Sequence, residues 1–228
     1  MFAMLAACHS APPKQAAAKP APVAPAPAVT PASGKNTAPL TAANAPAAAP
    51  GAAAPTAPEA PIPPRAAQQY AQALQMMKAG RGTDAELEFK QLAVAYPQFA
   101  GPQLNLGLLY LKDSRLADAE TAFKAAVQIA PSNPIAGNEL GIVERKLGKF
   151  TDAESAYQKA ITAEPNYAAA HLNLGVLYDL YLAEPQKALE QFERYVEIAG
   201  DSKQVSGWVI ELRKRTGAAA PQPKKEPS

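Results

Sequence analysis

The sequence predicts an all-α fold: a solenoid of about four helix-turn-helix repeats with a C-terminal capping helix, preceded by a disordered Pro/Ala-rich segment. Two observations lead to this prediction. Residues 1–65 hold 15 of the 24 prolines, whereas large apolar and charged residues return after them. From residue 66 onward, short motifs recur with a spacing of 34 residues. Self-similarity at such a period is typical of stacked helical hairpins, because each hairpin buries its apolar face only against its neighbours.

Four kinds of position carry the 34-residue period. They are the glycines Gly107, Gly141 and Gly175, the alanines Ala85, Ala119 and Ala153, the aromatic residues Phe89, Phe123 and Tyr157, and the prolines Pro97, Pro131 and Pro165. The corresponding Ala188 and Phe192 follow after 35 residues, because the fourth repeat is one residue longer. Glycine inside a helix costs up to about 1 kcal/mol relative to alanine, so we expect the second helix to pack closely over it. The aromatic residues are predicted to fill the space to the next hairpin. The prolines should end each second helix because they lack an amide donor.

These positions resemble the tetratricopeptide repeat, whose pattern is a large residue, Leu-Gly and an aromatic residue, followed by Ala, an aromatic residue, Ala and Pro. The resemblance implies repeats at 66–99, 100–133, 134–167 and 168–202. A capping helix is predicted at 203–216, with one apolar face formed by Val205, Trp208, Val209 and Leu212. A disordered tail is predicted at 217–228.

The repeats depart from the family pattern at a few positions. The first has Ala73 in place of glycine and Met76 in place of the aromatic residue. The third has Glu144 where its neighbours carry Tyr110 and Tyr178. The first repeat is therefore the degenerate end of the predicted array.

In this family the first helices line the concave side of the solenoid and meet peptide ligands there. Carried over to this chain, the resemblance implies a mainly aliphatic partner-binding groove. Its residues are Tyr70, Leu74, Leu104, Leu108, Asn138, Ile142, Leu172 and Val176. The groove lacks the lysine-and-asparagine clamp with which co-chaperone members hold a C-terminal carboxylate, so the expected ligand is an apolar strand or an amphipathic helix. The alternative is that these side chains partly pack against the adjacent first helix.

Three lysines also repeat at the 34-residue period. Lys78, Lys112 and Lys146 would form a basic ladder that could meet an acidic partner. The alternative is structural, since lysine is ordinary at this position in the family and suits the negative end of a helix dipole. His171 stands at the large-residue position of its repeat and is predicted to be packed and hydrogen-bonded, not a ligand.

The N-terminus carries a second resemblance. Leu5-Ala6-Ala7-Cys8 is similar to the lipobox of bacterial lipoproteins, which implies a signal over 1–8, lipidation of Cys8 and, with His9 next, retention in the outer membrane. Residues 9–65 would then be a disordered, extended tether that spaces the folded part from the membrane. Only seven residues precede Cys8 and none is basic, unlike an ordinary signal. The alternative is an unmodified N-terminus and a cytoplasmic protein.

Charge and composition disfavour several functional classes. The net charge of +2 divides into +3 for residues 1–65, +3 for 201–228 and therefore −4 for 66–200. A mildly acidic domain is a poor nucleic-acid binder. With one cysteine, two histidines and no phosphate-binding or nucleophile motif, we expect no cofactor, no metal site and no enzymatic activity. The Ser, Asp and Glu residues are expected on solvated helix faces.

The combined interpretation is a protein-protein interaction scaffold in the bacterial envelope. We expect it to be anchored through Cys8 and to recruit or organise partner proteins, in pilus, secretion or wall assembly, through the concave face. The first alternative is a chaperone-like holder of envelope client proteins. The second is an accessory subunit of an envelope enzyme.

Overall fold

The computed structural model describes residues 62–200 and 202–218. Within these residues every regular element is an α-helix, and nine helices follow one another. They are α1 (Pro64–Lys78), α2 (Gly82–Ala95), α3 (Ala100–Lys112), α4 (Leu116–Ile129), α5 (Pro134–Lys146), α6 (Phe150–Ala163), α7 (Ala168–Leu180), α8 (Pro185–Ala199) and α9 (Lys203–Thr216). The predicted fold class, an all-α solenoid of hairpins with a C-terminal capping helix, is confirmed.

The N-terminal boundary of the folded part differs slightly from the prediction. Helix α1 begins at Pro64, so Pro64 and Arg65, predicted as the end of the tether, belong to the first helix. Proline is tolerated there because the first amides of a helix have no partner inside it. Cys8, the tether before residue 62 and the tail after residue 218 lie outside the described residues.

The helices pack in the order of the sequence. The hairpins are α1–α2, α3–α4, α5–α6 and α7–α8, and each second helix contacts the first helix of the next hairpin. The first helix α5 also contacts the first helices α3 and α7, whereas the second helices pack almost entirely against their neighbours in sequence. The first helices therefore lie on the inner side of the curve.

One glycine–aromatic contact is repeated in three hairpins. A Cβ atom at Gly107 would lie 2.5 Å from Cε1 of Phe123, and a Cβ atom at Gly141 would lie 2.6 Å from Cε1 of Tyr157. Gly175 meets the ring of Phe192 in the same way. The close packing predicted over these glycines is confirmed. The atoms nearest each glycine belong to the aromatic ring of the second helix in the same hairpin. The ring therefore packs within its own hairpin, whereas the sequence predicted that it fills the space to the next hairpin.

The predicted proline stops are also confirmed. Helices α2, α4 and α6 each end two residues before a proline. The residue between lies outside the helical region of the backbone, with φ of −137° at Tyr96, −129° at Ala130 and −141° at Glu164. This conformation follows from the ring of the next residue, which disfavours helical backbone in the residue before it.

The turn inside each hairpin contains a residue in left-handed conformation. Gly80 and Gly148 adopt a φ of 77°, and Ser114, at the equivalent position of the second repeat, adopts 60°. A residue with a Cβ atom is less stable there than glycine by about 1 kcal/mol.

We therefore expect Ser114→Gly to raise the free energy of unfolding by about 1 kcal/mol, measured by chemical denaturation. The reciprocal variant Gly148→Ser should lower it; a shift of both variants in the same direction would contradict this account.

Helix α9 closes the end of the array. Its residues Val205, Val209 and Leu212 are buried against the last hairpin, and the ring of Trp208 lies 5.3 Å from that of Phe192. None of the described helices combines the length and the apolar character needed to cross a bilayer.

Candidate functional site

The eight predicted groove residues all lie on first helices, but the structure divides them into two groups. The buried group is Leu74, Leu104, Asn138 and Val176. The half-buried group is Tyr70, Leu108, Ile142 and Leu172. The buried group matches the alternative interpretation, in which these side chains pack within the array. Only the half-buried group is open to a partner.

Two of the eight residues join adjacent first helices through polar contacts. The hydroxyl of Tyr70 accepts a hydrogen bond from Nδ2 of Asn105 at 2.6 Å, and its ring lies over Gly101. Burial raises the pKa of Tyr70, so its hydroxyl stays neutral at physiological pH. Oδ1 of Asn138 accepts a hydrogen bond from Nδ2 of Asn173 at 2.9 Å. These contacts give Tyr70 and Asn138 a structural role between helices.

Part of the accessible surface of the first helices is aliphatic, and we call it the aliphatic strip. We define it as the half-buried residues Leu108, Ile142 and Leu172 together with Leu180, which is 58% exposed. Leu172 and Leu180 are eight residues apart on α7 and therefore share one helix face. Leu180 was not among the groove residues predicted from the sequence. The signal was present, because Leu180 stands 34 residues after Lys146 and interrupts the lysine series.

The basic ladder lies beside this strip at the ends of the first helices. Lys78, Lys112 and Lys146 are the last residues of α1, α3 and α5, and all three side chains are exposed. This placement fits the helix-end role, since a cation is favourable at the negative end of the dipole. The binding of an acidic partner by the ladder stays a prediction.

Two glutamates lie in the interior, so the expectation that every Glu occupies a solvated face is wrong. Glu120 is 8% exposed and Glu144 is 3% exposed. Oε1 of Glu120 accepts hydrogen bonds from Nζ of Lys124 at 2.6 Å and Nζ of Lys149 at 2.7 Å, which lower the pKa of Glu120. Lys149 of the next hairpin contacts Glu120, and Lys124 of the preceding hairpin lies beside Glu144, so each glutamate lies at a junction between two hairpins.

The carboxylate of Glu144 has fewer and longer polar contacts than that of Glu120. Nζ of Lys124 lies 3.7 Å from its Oε1, which is too long for a hydrogen bond. No described residue hydrogen-bonds to its Oε2. Burial raises the pKa of Glu144, since desolvation disfavours the charged carboxylate. Glu144 is thus a buried carboxylate whose charge is only partly compensated, by the ammonium group of Lys124.

The prediction for His171 is confirmed. The side chain is buried, with Nδ1 at 2.8 Å from Oε1 of Gln191 and Nε2 at 3.1 Å from the carbonyl oxygen of Pro165. Among the residues that the structure describes, no three His, Cys, Asp or Glu side chains are grouped as a metal ion would require.

Comparison with known proteins identifies the repeats. Two family models, both described as tetratricopeptide repeat, match residues 70–134 and 134–201. No curated protein sequence matches the chain.

Several solved structures share the fold. A MamA protein has a TM-score of 0.61 at 23% identity, over 67% of this chain and 82% of that chain. The Pseudomonas aeruginosa pilF protein has a TM-score of 0.59 at 17% identity, over 67% of this chain and 69% of that chain. The first TPR domain of Spaghetti, bound to the HSP90 peptide SRMEEVD, has a TM-score of 0.50 at 20% identity, over 53% and 95%. With its matched repeats spanning residues 70–201, more than half of its length, the chain belongs to the tetratricopeptide repeat family and has the fold of a protein-protein interaction scaffold.

Proposed function

We propose that this chain is a lipid-anchored envelope protein whose repeat domain recruits and organises partner proteins, in pilus, secretion or wall assembly. The observation that carries the proposal is the order of three segments along the chain. The lipobox-like Leu5-Ala6-Ala7-Cys8 comes first, a Pro/Ala-rich stretch follows, and the helical array begins at Pro64. Acyl chains on one cysteine anchor a protein without any membrane-spanning helix, and His9 favours the outer membrane.

The accessible inner surface supports a peptide or helix as the bound partner. The aliphatic strip offers apolar contact, and the exposed ladder lysines beside it offer positive charge. An amphipathic helix or an extended segment with apolar and acidic residues complements both features. A structurally similar TPR domain is bound to a short peptide, SRMEEVD, which supports peptide recognition as the general mode.

Anchoring is tested by tagging the gene at its C-terminal end in its own locus, so that the natural start is used. We expect the protein in the membrane fraction, with a mass that includes acyl chains on Cys8. The Cys8→Ser variant should move to the soluble fraction. A soluble protein with an unmodified Cys8 thiol would rule out the lipid anchor while leaving the scaffold role intact.

Partner binding is tested by a charge placed in the aliphatic strip. We expect Leu108→Glu to reduce partner recovery after crosslinking of native membranes by about 30-fold, the effect of losing a contact worth about 2 kcal/mol. The matched control is Leu87→Glu on second helix α2, where the side chain is already 57% exposed. Equal recovery with the two variants would exclude the strip as the binding surface.

The aliphatic strip also supports a second candidate function, a chaperone-like holder of envelope clients. In that case the purified protein should suppress aggregation of an unfolded client, and Leu108→Glu should abolish the suppression. Suppression that is unchanged in this variant would eliminate the holder function. The third candidate, an accessory subunit of an envelope enzyme, predicts that the same pull-down recovers one dominant enzyme instead of many clients.

A further inference from the structure

A groove of about 390 Å³ lies between α8 and the capping helix α9, at the C-terminal end of the array. We call it the terminal groove. Its apolar part is formed by Val196 of α8 and by Val209 and Ile210 of α9, and two carboxylates of α8, Glu193 and Glu197, also line it. Ile210 is 55% exposed although it lies in the middle of α9. The terminal groove therefore leaves an apolar surface open.

The terminal groove lies on the face of α9 that an earlier first helix buries under its own second helix. Ser206 and Ile210 of this groove stand one 34-residue and one 35-residue repeat after Gly137 and Gly141 of α5. Cβ atoms at Gly137 and Gly141 would lie 3.2 Å and 2.6 Å from atoms of α6. Among the described residues, no second helix follows α9 to cover the equivalent face.

The chain leaves α9 by the same turn that joins the helices of earlier hairpins. Gly217 adopts a left-handed φ of 70°, and Gly80 and Gly148 adopt 77° at the equivalent positions. The amide of Ala218 donates to the carbonyl oxygen of Arg213 at 3.1 Å, and the residues after Gly80 and Gly148 make the same bond at 2.9 Å and 2.8 Å. In those hairpins the turn sends the chain back along the first helix. The turn at Gly217 therefore directs the chain along α9 towards the terminal groove.

The sequence after this turn disfavours a helix and favours a narrow, extended segment. In the hairpins that begin with α1 and α5, the second helix starts two residues after the left-handed glycine. A helix that started likewise at residue 219 would have Pro223 at its fifth position, where proline breaks the hydrogen bonding. Ile210 also fills the space that glycine leaves for an aromatic ring in α3, α5 and α7. A polyproline-type segment that contains Pro221 and Pro223 meets both restrictions.

Such a segment is long enough to follow the whole terminal groove. The groove extends along α9 as far back as Ser206, eleven residues before Gly217. This length of helix spans about 16 Å at about 1.5 Å per residue. A polyproline chain rises about 3.1 Å per residue and covers the same distance within about six residues. Lys224 and Lys225 come directly after these six residues.

The charges of the two sides are complementary at this point. The side chains of Glu193 and Glu197 are 39% and 62% exposed, so their carboxylate oxygens are within reach of a ligand in the groove. Each of them pairs with one arginine, and a carboxylate can accept further hydrogen bonds. Lys224 and Lys225 supply two cations for these two carboxylates.

We propose that residues 219–228 of this chain bind in the terminal groove as an extended segment. Pro221 and Pro223 pack against Ile210, and Lys224 and Lys225 pair with the carboxylates of α8. One turn joins the segment to α9, so its effective concentration at the groove is in the millimolar range. The segment therefore competes well against a second copy of the chain or a separate partner. It takes the place of a fifth second helix and closes the C-terminal end of the array.

The test measures backbone order parameters by NMR relaxation on the full-length protein labelled with ¹⁵N. We expect values above about 0.6 for the amides of Ala220, Gln222 and Lys224, because lower values describe a flexible backbone. The double variant Lys224→Glu, Lys225→Glu should release the segment. Its order parameters should then fall below about 0.6, and the amides of α8 that line the terminal groove should shift.

The matched control makes the same charge change in the other Pro/Ala-rich part of the chain. The double variant Lys14→Glu, Lys19→Glu should leave the order parameters of residues 219–225 and the shifts of α8 unchanged. Equal effects of the two double variants would contradict the pairing of Lys224 and Lys225 with α8.

A second pair of variants tests the terminal groove itself. Ile210→Lys places a charge in its apolar part and should release the segment, and the exposure of Ile210 allows the substitution without unfolding. Leu87→Lys, at a side chain on α2 that is 57% exposed, should not release it. Low order parameters in the unchanged protein, or no change in Ile210→Lys, would overturn the proposal. Order parameters that rise with protein concentration would also overturn it, since the groove would then bind the segment of a second copy. None of these results bears on the lipid anchor or on the aliphatic strip.

Discussion

We expect Phe123→Ala to lower the free energy of unfolding by about 3–5 kcal/mol, the range for removal of a buried phenylalanine ring. Phe123 is fully buried on α4, and its ring is the group that covers Gly107. Its removal leaves a cavity between two helix backbones that are already close together. Chemical denaturation followed by far-UV circular dichroism measures the effect. The control is Val94→Ala, at a side chain that is 84% exposed, which should change stability by less than about 0.5 kcal/mol.

Substitution of Gly107 provides an independent test of its contact with the ring of Phe123. In Gly107→Ala the new methyl group would lie 2.5 Å from the ring of Phe123, so one of them must move. We expect a loss of about 1–3 kcal/mol even though alanine favours the helix. In the double variant with Phe123→Ala the methyl group partly fills the cavity, so the double variant should lose less than the sum of the single effects. Simple additivity would contradict the assigned contact.

The second large effect is expected at Glu144 and depends on pH. Burial raises the pKa of Glu144, so the folded state holds its proton more tightly than the unfolded state does. The stability from this group is present below the unfolded pKa of about 4.3 and is lost as pH rises through the folded pKa. Glu144→Gln removes the charge. It should raise the free energy of unfolding by about 1–3 kcal/mol at pH 7 and change it little at pH 4.

Glu120 serves as the control, because its pKa is shifted in the opposite direction and its effect on stability has the opposite pH dependence. Hydrogen bonds from Lys124 and Lys149 lower the pKa of Glu120, so its contribution is present above the unfolded pKa and is lost as pH falls through the folded pKa. Glu120→Gln should therefore destabilise the protein at pH 7 and have little effect in acid. A stability gain in Glu120→Gln, or a loss in Glu144→Gln at pH 7, would contradict the assigned environments.

The fold was predictable because its determinants are local and repeated. A glycine such as Gly141 and a proline such as Pro131 each impose a backbone requirement that does not depend on distant sequence. The buried half of the groove was harder to assign. Whether Leu104 is exposed to solvent or buried depends on the side chains of the adjacent first helix. The periodicity of apolar residues within one helix does not predict this. Tyr70 turns over Gly101 for the same reason.

The interior glutamates show a related limit. Amphipathic spacing predicts which face of one helix is apolar, but a neighbouring repeat on either side also covers a polar edge of that helix. Glu120 and Glu144 lie on such edges. The departure of Glu144 from tyrosine was visible in the sequence, but its burial in the interior was not.

Each hairpin packs almost entirely against the hairpins next to it, which makes the array a one-dimensional chain of linked units. An interior hairpin such as α5–α6 contacts a hairpin on each side, whereas among the described residues α1–α2 contacts a hairpin on one side only. The first hairpin also carries Ala73 in place of the glycine. In such a chain, a disturbance at one boundary spreads only by crossing each junction in turn. The first hairpin, α1–α2, can therefore unfold locally while the later hairpins stay folded and keep their binding surfaces.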